Sequence, residues 1–251
     1  MKRLAIYTVL VILCLTISCC SISKKNEKDF EEYDIFNTEI KILKKYKSDN
    51  KEIAFLGIRH LGHKMYYENI KKEITNYQNQ GYFVFYEGLT NKDIDTLILR
   101  KFRKTLPLKF NMDDIYVLNF KIVLTNFISD KIPNFKFPDN IIHQPAFNLL
   151  ISNSLKSQNI DVSFANFVKT YEEMFGIIVL EDCDFKDKWT NTECYPVPHK
   201  YKNKIFIDYR DEFLVKNIIT SKKRKILIIY GEDHYKGISE NLLKNGFKII
   251  N

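Results

Sequence analysis

Two Gly-x-x-His motifs each follow a stretch that has the character of a buried strand. Gly57–His60 comes after the apolar run 53–56, and Gly231–His234 comes after the run 225–230. Open parallel sheets bind ligands outside the carboxyl ends of their strands, so both histidines should stand in one crevice. Glycine lets the chain turn sharply out of a strand and leaves space beside a reacting group. Because the chain has only five histidines and eight glycines, the repeated motif indicates a shared site.

A carboxylate ends the second predicted strand, 82–86, where Glu87 precedes Gly88. Such a group is costly to place beside a core unless it is paired or bound to a cation. Two histidines and one glutamate are a common ligand set for catalytic zinc, manganese or non-haem iron, and they leave coordination positions open. We therefore predict that His60, Glu87 and His234 bind a divalent metal (Mn, Zn, Co or Fe).

Other side chains are candidates for binding and catalysis around this metal. Arg210 could orient a substrate carboxylate or stabilise an oxyanion. The alternative is a salt bridge to a neighbouring carboxylate: Asp208, Asp211 or Glu212. Asp233 or Glu232 could serve as the general base. Tyr67 could line the pocket as a hydrogen-bond donor and so bind substrate.

The elements that must position these residues alternate between strand and helix. The strand 53–56, the helix 65–78 and the strand 82–86 form a βαβ unit, which builds a parallel sheet. Residues 91–156 are mostly helical in pattern, and 160–163 are a candidate short strand. Alternation of helix and strand resumes near the end of the chain, with a helix at 205–220, a strand at 225–230, a helix at 238–244 and a strand at 247–250. The predicted fold class is α/β, with a mostly parallel sheet, flanking helices and a helical insertion in the middle of the chain.

Four segments carry a family resemblance: IAFLGIRHLGH, GYFVFYEG, RDEFLVKNI and KILIIYGEDHYKGISENLLKNGFKII. They resemble the TraB/GumN/TIKI family, which is related to ChaN-like and erythromycin-esterase-like proteins. The resemblance implies an α/β fold and a metal-dependent peptidase activity like that of the animal members. Carried over to this chain, it implies that His60, Glu87, Arg210 and His234 are the functional set.

One departure from the family pattern concerns the second motif. Small residues usually separate its glycine and histidine, whereas Glu232 and Asp233 do so here. Asp233 is then either an extra metal ligand or a residue that orients His234. ChaN-like relatives are lipoproteins that bind haem, so the resemblance also leaves haem as an alternative cofactor.

The first residues predict export. A basic start, Met1 to Arg3, precedes the apolar run 4–17, which is shorter than the roughly 20 residues of a membrane helix. Ser18-Cys19 resembles a bacterial lipoprotein processing site, although Thr16 departs from the usual Leu; an ordinary signal peptide is the alternative. We expect a signal peptide over 1–18, a lipidated Cys19 with a tether over 19–34, and a TraB/TIKI-like α/β domain over 35–251, anchored in the bacterial cell envelope.

Composition argues against a nucleic-acid partner, and two cysteines outside the predicted signal peptide are candidates for a disulfide. The formal net charge of +8 is scattered over Lys-rich segments without a nucleic-acid-binding motif, so no nucleic-acid partner is expected. Cys183 and Cys194 are candidates for a disulfide in an oxidising compartment. Two free thiols, or a zinc site with His199, are the alternatives.

These predictions converge on an exported, metal-dependent hydrolase that acts on a peptide or a small amide or ester. Its partners would be membrane lipid, through the N-terminal cysteine, and the substrate. The alternatives are a haem- or iron-binding lipoprotein of the ChaN type and a non-catalytic protein that binds peptides.

Overall fold

The computed structural model describes residues 34–89, 95–105, 137–186 and 203–250. The strands in these ranges are β1 (Leu43–Lys47), β2 (Glu52–Ile58), β3 (Leu61–His63), β4 (Phe83–Tyr86), β5 (Ile141–His143), β6 (Ser157–Asn159), β7 (Lys225–Gly231) and β8 (Lys248–Ile250). The α-helices are α1 (Lys64–Asn79), α2 (Thr96–Thr105), α3 (Phe147–Leu150), α4 (Phe164–Phe175), α5 (Asp182–Lys186), α6 (Tyr209–Thr220) and α7 (Tyr235–Lys244).

The main sheet has six strands in the order β6-β4-β7-β2-β1-β8. The four strands from β6 to β2 are parallel, while β1 and β8 form an antiparallel edge. The predicted α/β fold with a mostly parallel sheet and flanking helices is therefore confirmed. In the β2–β7 pair, Gly57 lies opposite Tyr230 and Ile58 opposite Gly231, so both Gly-x-x-His motifs leave the sheet at the same level.

The central strands are apolar on both faces because helices cover both faces. Every residue from Ile53 to Ile58 is buried. One face of the sheet packs against apolar residues of α6 and α7, such as Leu214 and Leu242. The other face packs against residues of α1 and α3, such as Ile70 and Leu150. Two layers of helices therefore hold the ends of the strands in place.

A third apolar cluster joins α2 and α4 to a π-helical turn, Lys204–Asp208. Phe102 and Phe167 pack edge to face within it, with ring centroids 5.1 Å apart. The turn continues directly into α6 and so helps to place the first residues of that helix. The part of the predicted helical insertion that is described thus supports the helix that carries Arg210.

The predicted strand 160–163 is wrong, because the strand is β6, at Ser157–Asn159. Two side chains of the predicted segment take up backbone N–H groups instead. Asp161 accepts a hydrogen bond from the Val162 amide, and Ser163 caps α4 by accepting one from the Asn166 amide. Short polar side chains of this kind compete with strand pairing and favour helix starts.

Several other predictions lie partly or wholly outside the described residues. Within 91–156 the structure has α2 and α3 as predicted, but also β5, which pairs with β3. The signal peptide, Cys19 and most of the tether lie outside the described residues, as do Cys194 and His199. Across the described ranges, the helices are too short or too polar to cross a bilayer.

Candidate functional site

Four polar residues lie at one edge of the sheet because the strands that precede them are adjacent and parallel. Three of them were predicted site residues, and the fourth, Asp161, was not. His60 follows β2, Glu87 follows β4, Asp161 follows β6 and His234 follows β7. Gly231 lies in their midst: a Cβ atom there would stand 3.3 Å from Glu87 Oε2, 3.6 Å from His234 Cδ2 and 3.9 Å from His60 Nε2. The absence of a side chain at Gly231 therefore keeps open the space that these three residues surround.

Arg210, the second residue of α6, reaches into this edge with only 7% of its surface exposed. Its Nε and Nη2 atoms lie 2.9 and 2.5 Å from the two carboxylate oxygens of Asp161, and Nη2 lies 2.7 Å from Glu87 Oε1. Burial alone would lower the pKa of Arg210, but Asp161 and Glu87 raise it well above its ordinary value. The structure thus pairs Arg210 with distant carboxylates and gives it no ion pair with the neighbouring Asp208, Asp211 or Glu212.

Nε and Nη2 of Arg210 donate to protein carboxylates, while Nη1 donates to the Phe206 carbonyl at 3.2 Å and lies 3.4 Å from His234 Nε2. Nη2 of Arg210 contacts Glu87 in this structure, and its contact with a substrate or oxyanion stays a prediction. Asp161 was not predicted as a site residue, because the sequence pattern placed it inside a strand, whereas it follows β6, which ends at Asn159.

Both carboxylate oxygens of Glu87 have partners in the site. Oε2 accepts a hydrogen bond of 2.7 Å from the Gly231 amide, and Oε1 lies 3.5 Å from His234 Nε2 besides its contact with Arg210. Burial would raise the pKa of Glu87, but Arg210, His234 and His60 together hold it well below its usual value. Arg210 and His234 therefore supply the positive charge that a carboxylate at the end of a buried strand requires.

His234 is oriented by a fully buried aspartate, Asp211, whose Oδ1 lies 2.6 Å from His234 Nδ1. Burial lowers the pKa of His234, but Glu87 and Asp211 raise it to about 9. Burial also raises the pKa of Asp211, to about 6, against the effect of His234. His234 is thus protonated at neutral pH in this arrangement, and both ring nitrogens face protein groups. Nε2 of His234 lies 3.5 Å from Glu87 Oε1 and 3.4 Å from Arg210 Nη1. A metal would have to displace the ring proton to bind this nitrogen, and the ligand role of His234 stays a prediction.

His60 differs from His234 in being exposed. Its Nδ1 lies 3.1 Å from Oε1 of Gln144, and the Gln144 amide donates to the His60 carbonyl at 2.8 Å. An amide oxygen only accepts, so Nδ1 carries the proton in the neutral ring and Nε2, which faces Gly231, is the basic nitrogen. The β3–β5 pairing brings Gln144 here, and no local pattern in the sequence indicated this role.

The two acidic residues of the second motif have different surroundings. Glu232 forms an ion pair with Arg59 at 3.0 Å, and both side chains are almost buried. This ion pair holds the Glu232 carboxylate, so it argues against a role as general base, which stays untested. Asp233 is exposed at the rim of the site. Partial burial of its carboxyl raises the pKa of Asp233, although His234 and His60 oppose the shift.

Two residues near the first motif are structural. Tyr67 is only 3% exposed, and its hydroxyl donates to the Arg59 carbonyl at 2.9 Å. This position corrects the prediction that Tyr67 binds substrate, because its ring belongs to the core. His63 caps α1 by accepting a hydrogen bond from the Met65 amide.

A second acidic group surrounds one cysteine of the predicted disulfide. Cys183 is disulfide-bonded, and Cys194 lies outside the described residues. Within the described ranges, Glu181, Cys183 and Asp184 form the one group of three whose possible ligand atoms all lie within 4.8 Å of one another. A disulfide sulfur is not a thiolate ligand, and Asp184 already pairs with Lys104 at 2.8 Å. These surroundings argue against a metal there.

No protein-family model, curated protein or solved structure matches this chain. The family resemblance therefore stays a prediction, and the function has to be argued from the site itself.

Proposed function

We propose that this chain is a metal-dependent hydrolase whose cleft lies at the carboxyl ends of β2, β4 and β7. The supporting observation is an excess of negative charge at that edge. Four carboxylates face two cations, Arg210 and protonated His234. The carboxylates are Glu87, Asp161, Asp211 and Asp233. An excess of carboxylates over cations favours binding of a divalent cation, and the exposed Asp233 is accessible to one.

The residues that would hold the metal are His60, Glu87 and Asp233. Nδ1 of His60 is fixed by Gln144, which is the second contact that metal-binding histidines usually make. Oε2 of Glu87 and Nε2 of His60 face the same space above Gly231. Asp233 takes the place that the sequence suggested for His234. Since Asp233 is exposed, its side chain can turn towards a cation without disturbing the core.

The chain's own residues prepare this site for hydrolysis. A divalent metal bound there would supply a water of lowered pKa. Arg210 and His234 hold Glu87 charged and in one orientation, from the side opposite Oε2. Gly231 leaves space for the carbonyl group of a substrate. The family resemblance supports a peptide or a small amide or ester as the substrate class.

The predicted export signal completes the proposal. A lipidated Cys19 would hold the domain at a membrane of the cell envelope by the tether that precedes residue 35. Substrates would then be met outside the cytoplasm, where peptides and small esters or amides are encountered as free molecules.

The proposal is tested on protein purified without added metal. We expect elemental analysis to find a divalent metal, and fluorogenic peptides or p-nitrophenyl acetate to be hydrolysed until a chelator is added. Glu87→Gln and Asp233→Asn should lose metal and at least about 100-fold in rate, as removal of a metal-bound nucleophile implies. Glu212→Gln, an exposed carboxylate on α6, is the matched control and should change neither.

Three results would contradict the proposal. Hydrolysis that is unaffected by the chelator would exclude a metal mechanism. A Soret band after addition of haem, without hydrolysis, would support the haem-binding alternative. Peptide binding without turnover would support the non-catalytic alternative.

A further inference from the structure

Asp211 is fully buried, yet only one of its two carboxylate oxygens has a hydrogen-bond partner among the described residues. Oδ1 lies 2.6 Å from His234 Nδ1. Oδ2 lies against the start of α7, at Gly237. A Cβ atom on Gly237 would stand 3.0 Å from Asp211 Cγ and closer still to Oδ2, inside any normal van der Waals contact. The two helices thus meet at a point where only glycine leaves room for the aspartate.

Gly237 is the third residue of an α-helix, where glycine is a poor choice on local grounds. Relative to alanine, a helical glycine raises the equilibrium constant for unfolding roughly three- to fivefold. The three atoms nearest to a Cβ atom on Gly237 would all belong to Asp211. The contact with Asp211 is therefore the feature that requires glycine here.

We infer that Asp211 is a positioning residue for the site, that it acts through His234 on Glu87, and that Gly237 is glycine in order to admit it. This inference rests on the proposed function for its catalytic meaning. The contacts run in one line: Asp211 Oδ1 to His234 Nδ1 at 2.6 Å, then His234 Nε2 to Glu87 Oε1 at 3.5 Å. Fixing the imidazole from behind directs its Nε2 towards Glu87 and leaves Glu87 Oε2 towards the cleft.

A double-mutant cycle on metal-free protein tests the packing. Gly237→Ala alone should raise the unfolding constant at least about tenfold, because the added methyl group displaces a buried carboxylate. In the Asp211→Ala background the same change should lower that constant roughly three- to fivefold, since only helix propensity remains. An effect of the same sign in both backgrounds would overturn the steric part of the inference.

The positioning role is tested by ¹⁵N NMR of the histidine rings and by titration with Zn²⁺ alone. Asp211→Asn keeps the shape of the side chain but removes its charge. It should change the Nδ1–H resonance of His234 and weaken Zn²⁺ binding about tenfold, the lower end for residues that act behind a ligand. Asp208→Asn, an exposed aspartate three residues earlier, removes the same charge and should change neither quantity.

The outcomes separate this inference from the proposed function. If the wild-type protein binds no Zn²⁺, the proposed function fails, whereas the cycle and the imidazole resonance still test the contact of Asp211 with His234. If the wild type binds Zn²⁺ and Asp211→Asn binds it equally well with an unchanged resonance, Asp211 has no positioning role.

Discussion

Replacing Arg210 by Met should destabilise the fold by removing the cation between two buried carboxylates. Arg210 donates to Asp161 through two contacts and to Glu87 through one. Loss of one partner of a buried ion pair costs about 3–5 kcal/mol, because a charge is left uncompensated. Asp161 would keep hydrogen bonds from the Gly88 and Val162 amides, so we expect the lower end, about 3 kcal/mol. A domain with 5–15 kcal/mol of stability survives such a loss.

The loss in free energy of unfolding caused by Arg210→Met should also depend on pH. In the wild type the pKa of Glu87 is depressed below its ordinary 4.5, so its carboxylate stabilises the fold above that pH. This contribution is lost as the pH falls through the lowered pKa. Without Arg210, only weaker partners oppose the effect of burial, so the pKa of Glu87 is higher in the variant than in the wild type. Glu87 is then protonated at a higher pH, which removes the uncompensated charge from the variant. The difference in free energy of unfolding between wild type and variant should therefore be larger at pH 7 than near pH 4.5.

Urea denaturation followed by far-UV circular dichroism at both pH values measures this difference. Lys216→Met is the matched control, because it removes the same charge from an exposed position of the same helix. We expect it to change stability by less than about 0.5 kcal/mol. A loss below about 1 kcal/mol for Arg210→Met, or a deficit that is the same at both pH values, would refute the role assigned to Arg210.

Three further predictions concern the anchor, the metal ligands and the charge of His234. Replacing Cys19 and Cys20 by Ala should move the protein from the membrane fraction to the soluble exported fraction, and a double mutant that stays with membranes would exclude lipidation. His60→Ala should abolish metal binding measured by calorimetry, whereas His234→Ala should weaken it about tenfold by loosening Glu87; equal losses would restore His234 as a ligand. Because the pKa of His234 is raised to about 9, its contribution to stability is complete below about pH 6.5 and is lost as the pH rises through 9. Unfolding curves at pH 7 and 10 should show that loss in the wild type but not in His234→Ala.

The strands and helices next to the site were largely predictable because their residues have a clear pattern. The runs that became β2, β4 and β7 are apolar, and each ends at a glycine or a charged residue. The helix expected at 65–78 is α1, Lys64–Asn79. By contrast, β1 was not predicted, since Tyr46 is its one fully buried residue and lysines occupy three of its five positions. An edge strand of this kind is specified by its pairing with β2 and has little apolar pattern of its own.

The sequence by itself determined which residues stand where strands end: His60, Glu87 and His234, with glycines that allow the turns. Elementary rules for parallel sheets were sufficient to expect them at one edge. Only the tertiary structure decided their partners. Arg210 reaches Asp161, which is 49 positions away along the chain, and Arg59 reaches Glu232. Such pairs depend on strand order and on how two helices approach each other, and these distances are not encoded in any local spacing. The same long-range packing places His234 against Asp211 and leaves Asp233 exposed.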